Sequence, residues 1–186
     1  MQHLSLRSEG EEFIDLVGRR LTIPVKERIL QQIVEAPNET VFYYDLSEVR
    51  EVNGSGIHEV IVKPMEWLYE HFKTHNKFLI LRNLSEEFDH EYNIRITCND
   101  EGVSVIVTTM DSYLVIGDKA GGALREVLDI VYQKKKVTAR EVADTLAKKH
   151  TLISTHLVKL FELRLVNRSE EQLEEGGRQF IYTSLF

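Results

Sequence analysis

Apolar residues recur along this chain at two spacings, and each change of spacing predicts a new element. Short edge strands are expected around 3–7 and 13–17. Val25, Ile29, Leu30, Ile33 and Val34 mark an amphipathic helix. It is expected to start at Thr22, with Pro24 pre-set for the first turn, and to end at Pro37-Asn38. The run 40–45 is continuously apolar and of strand length, as for a central strand covered on both faces. Ile57, Val60, Ile61, Met65, Leu68 and Phe72 predict a second helix to about His75, kinked or divided at Pro64. Strands at 77–81 and 94–97, separated by a short helix at 85–92, complete a strand–helix–strand order. A hairpin is expected from 103–107 and 113–116, turning about Asp111-Ser112. The first 116 residues therefore predict an α/β layer with a mixed sheet and helices.

Gly117-Asp-Lys-Ala-Gly-Gly122 is the one Gly-rich break, read as a linker, and the period beyond it is helical. The first helix is expected over 123–133. Thr138 followed by Glu141 is a capping box, and Val137 with Val142 can form the hydrophobic staple beside it. Ala139, Val142, Ala143 and Leu146 give the next helix one apolar face. A polar turn at 148–150 leads to a third helix, 151–165, with Ile153, Leu157, Leu160 and Phe161 as its buried stripe. A strand-like segment, a Glu-rich loop closing in Gly176-Gly177 and a strand at 178–183 follow. This order describes a winged helix-turn-helix over 123–186.

On the third helix Thr151, Thr155, Val158 and Glu162 fall opposite the stripe, with Ser154 and Lys159 on the flanks. Lys148 and Lys149 stand at its start, and Lys134-Lys-Lys136 precedes the second helix. Thr151, Ser154, Thr155 and Lys159 are candidate base-reading or positioning residues. Lys148, Lys149, Arg168 and Arg178 are candidate phosphate contacts. Glu170, Glu171, Glu174 and Glu175 oppose this reading, since they would repel a phosphate backbone unless the loop tip points away.

Charge sharpens the division. Net charge is −7, but from Gly117 onward there are 12 Lys+Arg against 10 Asp+Glu, and in the remainder 11 against 20. The acid lies in the N-terminal part, and a local basic patch is what phosphates feel. The chain has one cysteine, Cys98, so no intrachain disulfide can form, which fits a cytoplasmic protein. No apolar run approaches the ~20 residues that span a bilayer, and the N-terminus lacks a signal-peptide layout, so no membrane partner is expected.

No enzyme constellation emerges. Cys98 has no Cys or His partner in sequence, and no phosphate-binding Gly-rich loop with a following Lys is present. His71 and His75 are a feasible ligand pair at i, i+4, but without a third ligand a solvated face is the better reading; no metal and no cofactor are expected. His156 is expected to be packed and hydrogen-bonded. Asn53 and Ser55 precede a helix, so either could cap it or, with Gly54 and Gly56, form a ligand or phosphate turn.

Two resemblances bear on function. Ser154-Thr-His-Leu-Val-Lys-Leu-Phe-Glu-Leu-Arg-Leu-Val166 and Gly177-Arg-Gln-Phe-Ile-Tyr-Thr-Ser-Leu185 resemble the recognition helix and wing strand of the arsenic-repressor family. Arg164 stands where that family has Gly, and the Cys pairs of its metal-sensing members are absent. Asp45-Leu-Ser47, the turn Asn53-Gly-Ser-Gly56 and Asn83-Leu-Ser85 resemble the STAS domain over roughly 15–97. Gly54 occupies the position of the phosphorylated Ser of partner-switching members. Together the resemblances imply a cytoplasmic transcription regulator that binds double-stranded DNA as a homodimer. Its STAS-like domain would sense a signal, dimerise or dock a regulatory protein. The alternative is a protein-interaction module whose winged helix docks a protein.

Overall fold

A computed structural model of the protein describes residues 1–110, 112–172 and 176–186. Asp111, at the expected hairpin turn, and Glu174-Glu175, in the expected wing tip, lie outside the described residues. The chain forms two compact units, Met1–Lys119 and Ala120–Phe186.

The first unit is α/β. Its elements are β1 (Gln2–His3), β2 (Ile14–Leu16), α1 (Arg19–Glu35), β3 (Val41–Asp45) and β4 (Val49–Val52). α2 (Gly54–Ile57), α3 (Lys63–Glu70), β5 (Phe78–Arg82), α4 (His90–Asp100), β6 (Val105–Thr108) and β7 (Tyr113–Ile116) follow. The main sheet has the order β1-β3-β5-β6-β7, parallel except for the β6–β7 pair, and β2 pairs with β4 separately. β5 is buried along Phe78 to Leu81, which is why it reads as a continuous apolar run. Phe42, Tyr44, Leu79, Leu81 and Val105 share one core with Ile29, Ile33, Val60 and Ile94.

Several expected boundaries move. The segment expected as a strand at 94–97 lies inside α4. His90, Ile94, Thr97 and Cys98 are its buried residues, so the β-branched run Ile-Arg-Ile-Thr in fact follows helical spacing. The parallel strand that follows β5 is β6, which also makes the expected hairpin with β7. The helix expected over 85–92 begins only at His90.

α1 starts at Arg19, so Pro24 sits inside the helix rather than in its first turn. Thr22 donates its hydroxyl proton to the carbonyl of Gly18, 2.9 Å away, instead of capping. Lys77, buried, donates to the carbonyls of Ile33 and Val34 at 2.5 and 2.9 Å and so satisfies the C-terminal end of α1. The second helix is divided as Pro64 requires, with a π-helical turn at His58–Val62 between α2 and α3, and it ends at Glu70.

The expected linker is not loose throughout. A β-carbon on Gly117 would stand 1.9 Å from the Val103 carbonyl oxygen, and the Lys119 amide donates to Ser104 Oγ at 3.2 Å. Residues 117–119 therefore belong to the first unit.

The second unit contains α5 (Ala123–Lys134), β8 (Lys136–Thr138), α6 (Ala139–Leu146), α7 (His150–Glu162), β9 (Asn167–Gln172) and β10 (Arg178–Thr183). The strands form an antiparallel sheet of order β8-β10-β9. Val127, Leu128 and Val131 of α5, Val142 of α6 and Ile153, Leu157 and Leu160 of α7 are buried. Tyr132 Oη donates to the Leu165 carbonyl at 3.0 Å, tying α5 to the end of α7.

Candidate nucleic-acid interface

The approach to α7 is built by local rules. Thr138 accepts from the Glu141 amide at 3.2 Å while the Glu141 carboxylate accepts from the Thr138 amide at 2.6 Å, so α6 opens with a reciprocal cap. These bonds hold the Glu141 carboxyl below its ordinary pKa. α6 closes at Ala147, which has φ 51°, and the Lys148 amide donates back to the Ala143 carbonyl at 3.0 Å. The connection to α7 therefore spans only Ala147 to Lys149.

α7 ends in a matching way. The Leu165 amide donates to the Leu160 carbonyl and the Arg164 amide to the Phe161 carbonyl, at 3.0 and 2.9 Å, a Schellman closure. Arg164 takes the left-handed position with φ 57°. This geometry explains why a Gly would be natural there. Arg164 is nonetheless fully buried, its Nη1 donating to the Phe161 carbonyl at 3.2 Å. Burial first, then the nearby Arg168 charge, lowers its pKa to about 9.

Thr151, Thr155 and Lys159 are exposed on the side of α7 opposite its buried stripe, and Ser154 is half-buried beside them. Thr155 Oγ1 donates to the Thr151 carbonyl at 3.0 Å, which leaves its lone pairs able to accept. Lys149 is exposed at the start of the helix. Lys148 is paired with Glu126, Lys159 lies 4.0 Å from Glu162, and Arg178 lies 3.1 Å from Glu170. Surface pairs of this kind contribute ~0–1 kcal/mol, so a phosphate can replace the carboxylate at small cost.

Arg168 is placed differently from the other cations. Its guanidinium lies between the Phe161 and Phe180 rings, 4.3 and 4.5 Å from their centroids, and hydrogen-bonds Tyr182. It braces the β9–β10 hairpin against α7. His156 departs from expectation: its Nδ1 is buried with no hydrogen-bond partner among the described residues.

A cleft between α6, α7 and β10 gathers Ser154 and Arg178 with Arg140, His150, Val158 and Gln179. Sequence spacing does not select Arg140, His150 or Gln179, because they come from three elements. Leu152 and Phe180 are large apolar side chains left exposed on α7 and β10.

In the first unit Asn53 is the cap of α2. Its Oδ1 accepts from the Gly56 amide at 2.9 Å and from the Gly18 amide at 3.2 Å. Ser55 is exposed and does not fill that role. A β-carbon on Gly56 would stand 1.8 Å from the Leu16 carbonyl oxygen, whereas one on Gly54 would meet only Thr97 Oγ1 at 3.5 Å. Asn53 and Gly56 thus join α2 to β2 and the start of α1.

Asp45, at the end of β3, accepts from Ser47, Asn83 and Arg82 at 2.6, 2.8 and 2.9 Å. Burial raises its pKa, but these bonds outweigh that effect and lower it to about 2. Glu59, in the π-helical turn, is buried against Lys26 at 3.0 Å, His58 at 3.3 Å and Arg19 at 3.7 Å. Arg19 and Lys26 lie far from it in sequence, so the pattern gives no sign of this cluster.

His71 stacks on Trp67 with ring centroids 4.3 Å apart, and His75 lies edge-on at 5.0 Å. Among the described residues no group of three or more His, Cys, Asp or Glu could hold a metal ion. Cys98 is fully buried, and burial pushes its thiol pKa up to about 12, far from a reactive thiolate. Among the described residues no helix is long and apolar enough to cross a membrane.

No family model matches the chain. No curated protein matches it either. Among solved structures the chain is similar to a possible transcriptional regulator from Methanosarcina mazei Go1. The identity is 15% and the TM-score 0.33, over 43% of this chain and 73% of that one.

Proposed function

We propose that this protein is a transcription regulator that binds double-stranded DNA through its second unit and acts as a homodimer. One observation carries the reading. α7 leaves a three-residue turn, buries one stripe completely and presents Thr151, Thr155 and Lys159 on its opposite side, beside an antiparallel hairpin. A winged helix-turn-helix uses that side in a major groove.

In this reading Ser154, Thr155 and Thr151 face base edges, while Lys148, Lys149, Lys159 and Arg178 contact phosphates. Arg168 positions the hairpin through Phe161 and Phe180 rather than gripping backbone. The first unit serves as a STAS-like domain that senses a signal, dimerises or docks a regulatory protein. We assign it no phospho-switch, because Asn53 and Gly56 are used in packing and Gly54 offers no hydroxyl. We assign the protein no catalytic role.

Exposed Leu152 and Phe180 favour a second reading, in which α7 and β10 dock a protein. Salt-dependent binding to genomic DNA fragments separates the two, since sequence-selective binding belongs to the first alone.

A further inference from the structure

The two edges of the main sheet are unlike. β1 is two residues long, polar and exposed, a blunted edge. β7 is four residues, Tyr-Leu-Val-Ile, paired to β6 without a bulge and lacking any Lys, Glu or Pro that would discourage another strand. Large apolar side chains are left in water around it: Leu114 is 37% exposed, and on α4 Tyr92 is 65% and Ile96 45% exposed. Leu114, Tyr92 and Arg95 line one cleft, so strand and helix share this surface.

We propose that the protein dimerises about a two-fold axis by antiparallel pairing of β7 with β7 of a second copy. The helix α4 of each chain then packs on α4 of the other. Self-pairing of an antiparallel strand is isologous, so one short apolar strand suffices for both halves.

Charge complementarity supports a second copy as the occupant. α4 links the parallel strands β5 and β6, so it runs opposite to them and in the direction of β7. The two-fold therefore makes the α4 pair antiparallel. Each α4 carries Glu91 one turn before Arg95, and the two already pair within the helix at 2.5 Å. Reversing one copy sets Arg95 of each chain toward the carboxylate end of the other, with Tyr92 and Ile96 between. β7 itself carries no charge. Among the described residues Arg95 is the one cation in a cleft that also holds Glu86, Asp89 and Glu91, so its pairing with the partner copy's carboxylates is what offsets their repulsion.

The proposal deepens the regulator reading, which requires a dimer, but it rests on the first unit alone. The two chains would leave the joint sheet at Gly117, at opposite ends of the paired strands, roughly 14 Å apart along the strand direction for four residues at ~3.4 Å each.

The test reads self-association of the full chain without DNA, so its failure leaves the DNA assay standing. Light scattering at tens of micromolar should give a dimer for the wild type. Leu114→Lys, on an exposed position, should weaken association roughly tenfold or more, as edge lysines do. Arg95→Glu should also weaken it, and Glu91→Arg/Arg95→Glu should restore it, because the reversed helix is again complementary to itself. A short bis-maleimide should capture Leu114→Cys as a covalent dimer and leave Leu21→Cys, exposed on α1, monomeric. A monomeric wild type overturns the proposal. So does a dimer indifferent to Leu114→Lys, or cross-linking that is equal at the two cysteine positions. Circular dichroism on each variant identifies any that fails to fold, and the cysteine pair then decides.

Discussion

The guanidinium carbon of Arg164 lies 4.5 Å from the centroid of the Phe161 ring, folded back over the last turn of the helix it terminates. A positive φ and complete burial meet at one arginine, and the two features oppose each other. The left-handed conformation costs an L-residue ~1–2 kcal/mol relative to glycine. The side chain offsets this by covering Phe161 and holding its carbonyl.

Replacing Arg164 tests that balance. Arg164→Ala loses the packing and keeps the backbone strain, while Arg164→Gly loses the packing and relieves the strain. Both should destabilise the second unit, with Ala worse than Gly by about 1 kcal/mol in urea unfolding. Equal midpoints for the two variants would show that the positive φ carries no cost.

The turn at Asn53 to Gly56 separates into fixed and free positions. Gly56→Ala forces a β-carbon into the Leu16 carbonyl and should cost several kcal/mol or prevent folding. Gly54→Ala, with ordinary contact at 3.5 Å, should be neutral or slightly stabilising in thermal melts. Ser55→Ala should change neither stability nor DNA binding. Phosphate found on Ser55 in protein from its native host would contradict the assignment of this turn to structure.

Stability against acid should depend on Asp45. Its folded pKa, about 2, lies below the ordinary value of 3.8, so its contribution is present above the unfolded pKa and lost as pH falls toward 2. Solvent screening at this partly exposed carboxylate limits its contribution to roughly 1 kcal/mol at neutral pH. Asp45→Asn should lower the melting temperature at pH 7 and flatten the decline of stability between about pH 4 and 2. An unchanged acid limb would remove Asp45 from the account.

The sequence was legible where local chemistry decides the structure. The Thr138–Glu141 cap, the stripe from Ile153 to Phe161 and the break at Pro64 all follow from residues within one turn of each other. It was illegible where distant chain segments decide. The segment Ile94 to Thr97 has strand-like composition, and only its packing through Ile94, Thr97 and Cys98 makes it helical. Gly117 looked like linker because nothing in sequence reveals the Val103 carbonyl beneath it. At the candidate interface, Thr151, Thr155 and Lys159 share one face of a single helix, so their grouping could be read directly. The bracing of Arg168 between Phe161 and Phe180 depends on a hairpin folding back onto that helix, and Glu59 gathers cations from α1.

Substitutions on α7 should divide by role. Ser154→Ala or Thr155→Ala should reduce discrimination between operator and random DNA, by ~1–3 kcal/mol if a base contact is lost. Lys149→Ala, or Lys148→Ala with its Glu126 pair broken, should weaken all DNA alike and lower the salt slope by about one per phosphate contact. Competition binding at two salt concentrations checks both, and identical behaviour of the two classes would contradict the assigned roles.

The most direct measurement is binding of the full chain to a pool of genomic fragments across a salt series. The regulator reading predicts that a few fragments are retained over the rest at physiological salt. It also predicts that log K for them falls linearly with log salt concentration, as counterions are released from contacted phosphates. Weak binding that favours no fragment and is indifferent to Ser154 and Thr155 would contradict it, and α7 with β10 would then be a surface for protein.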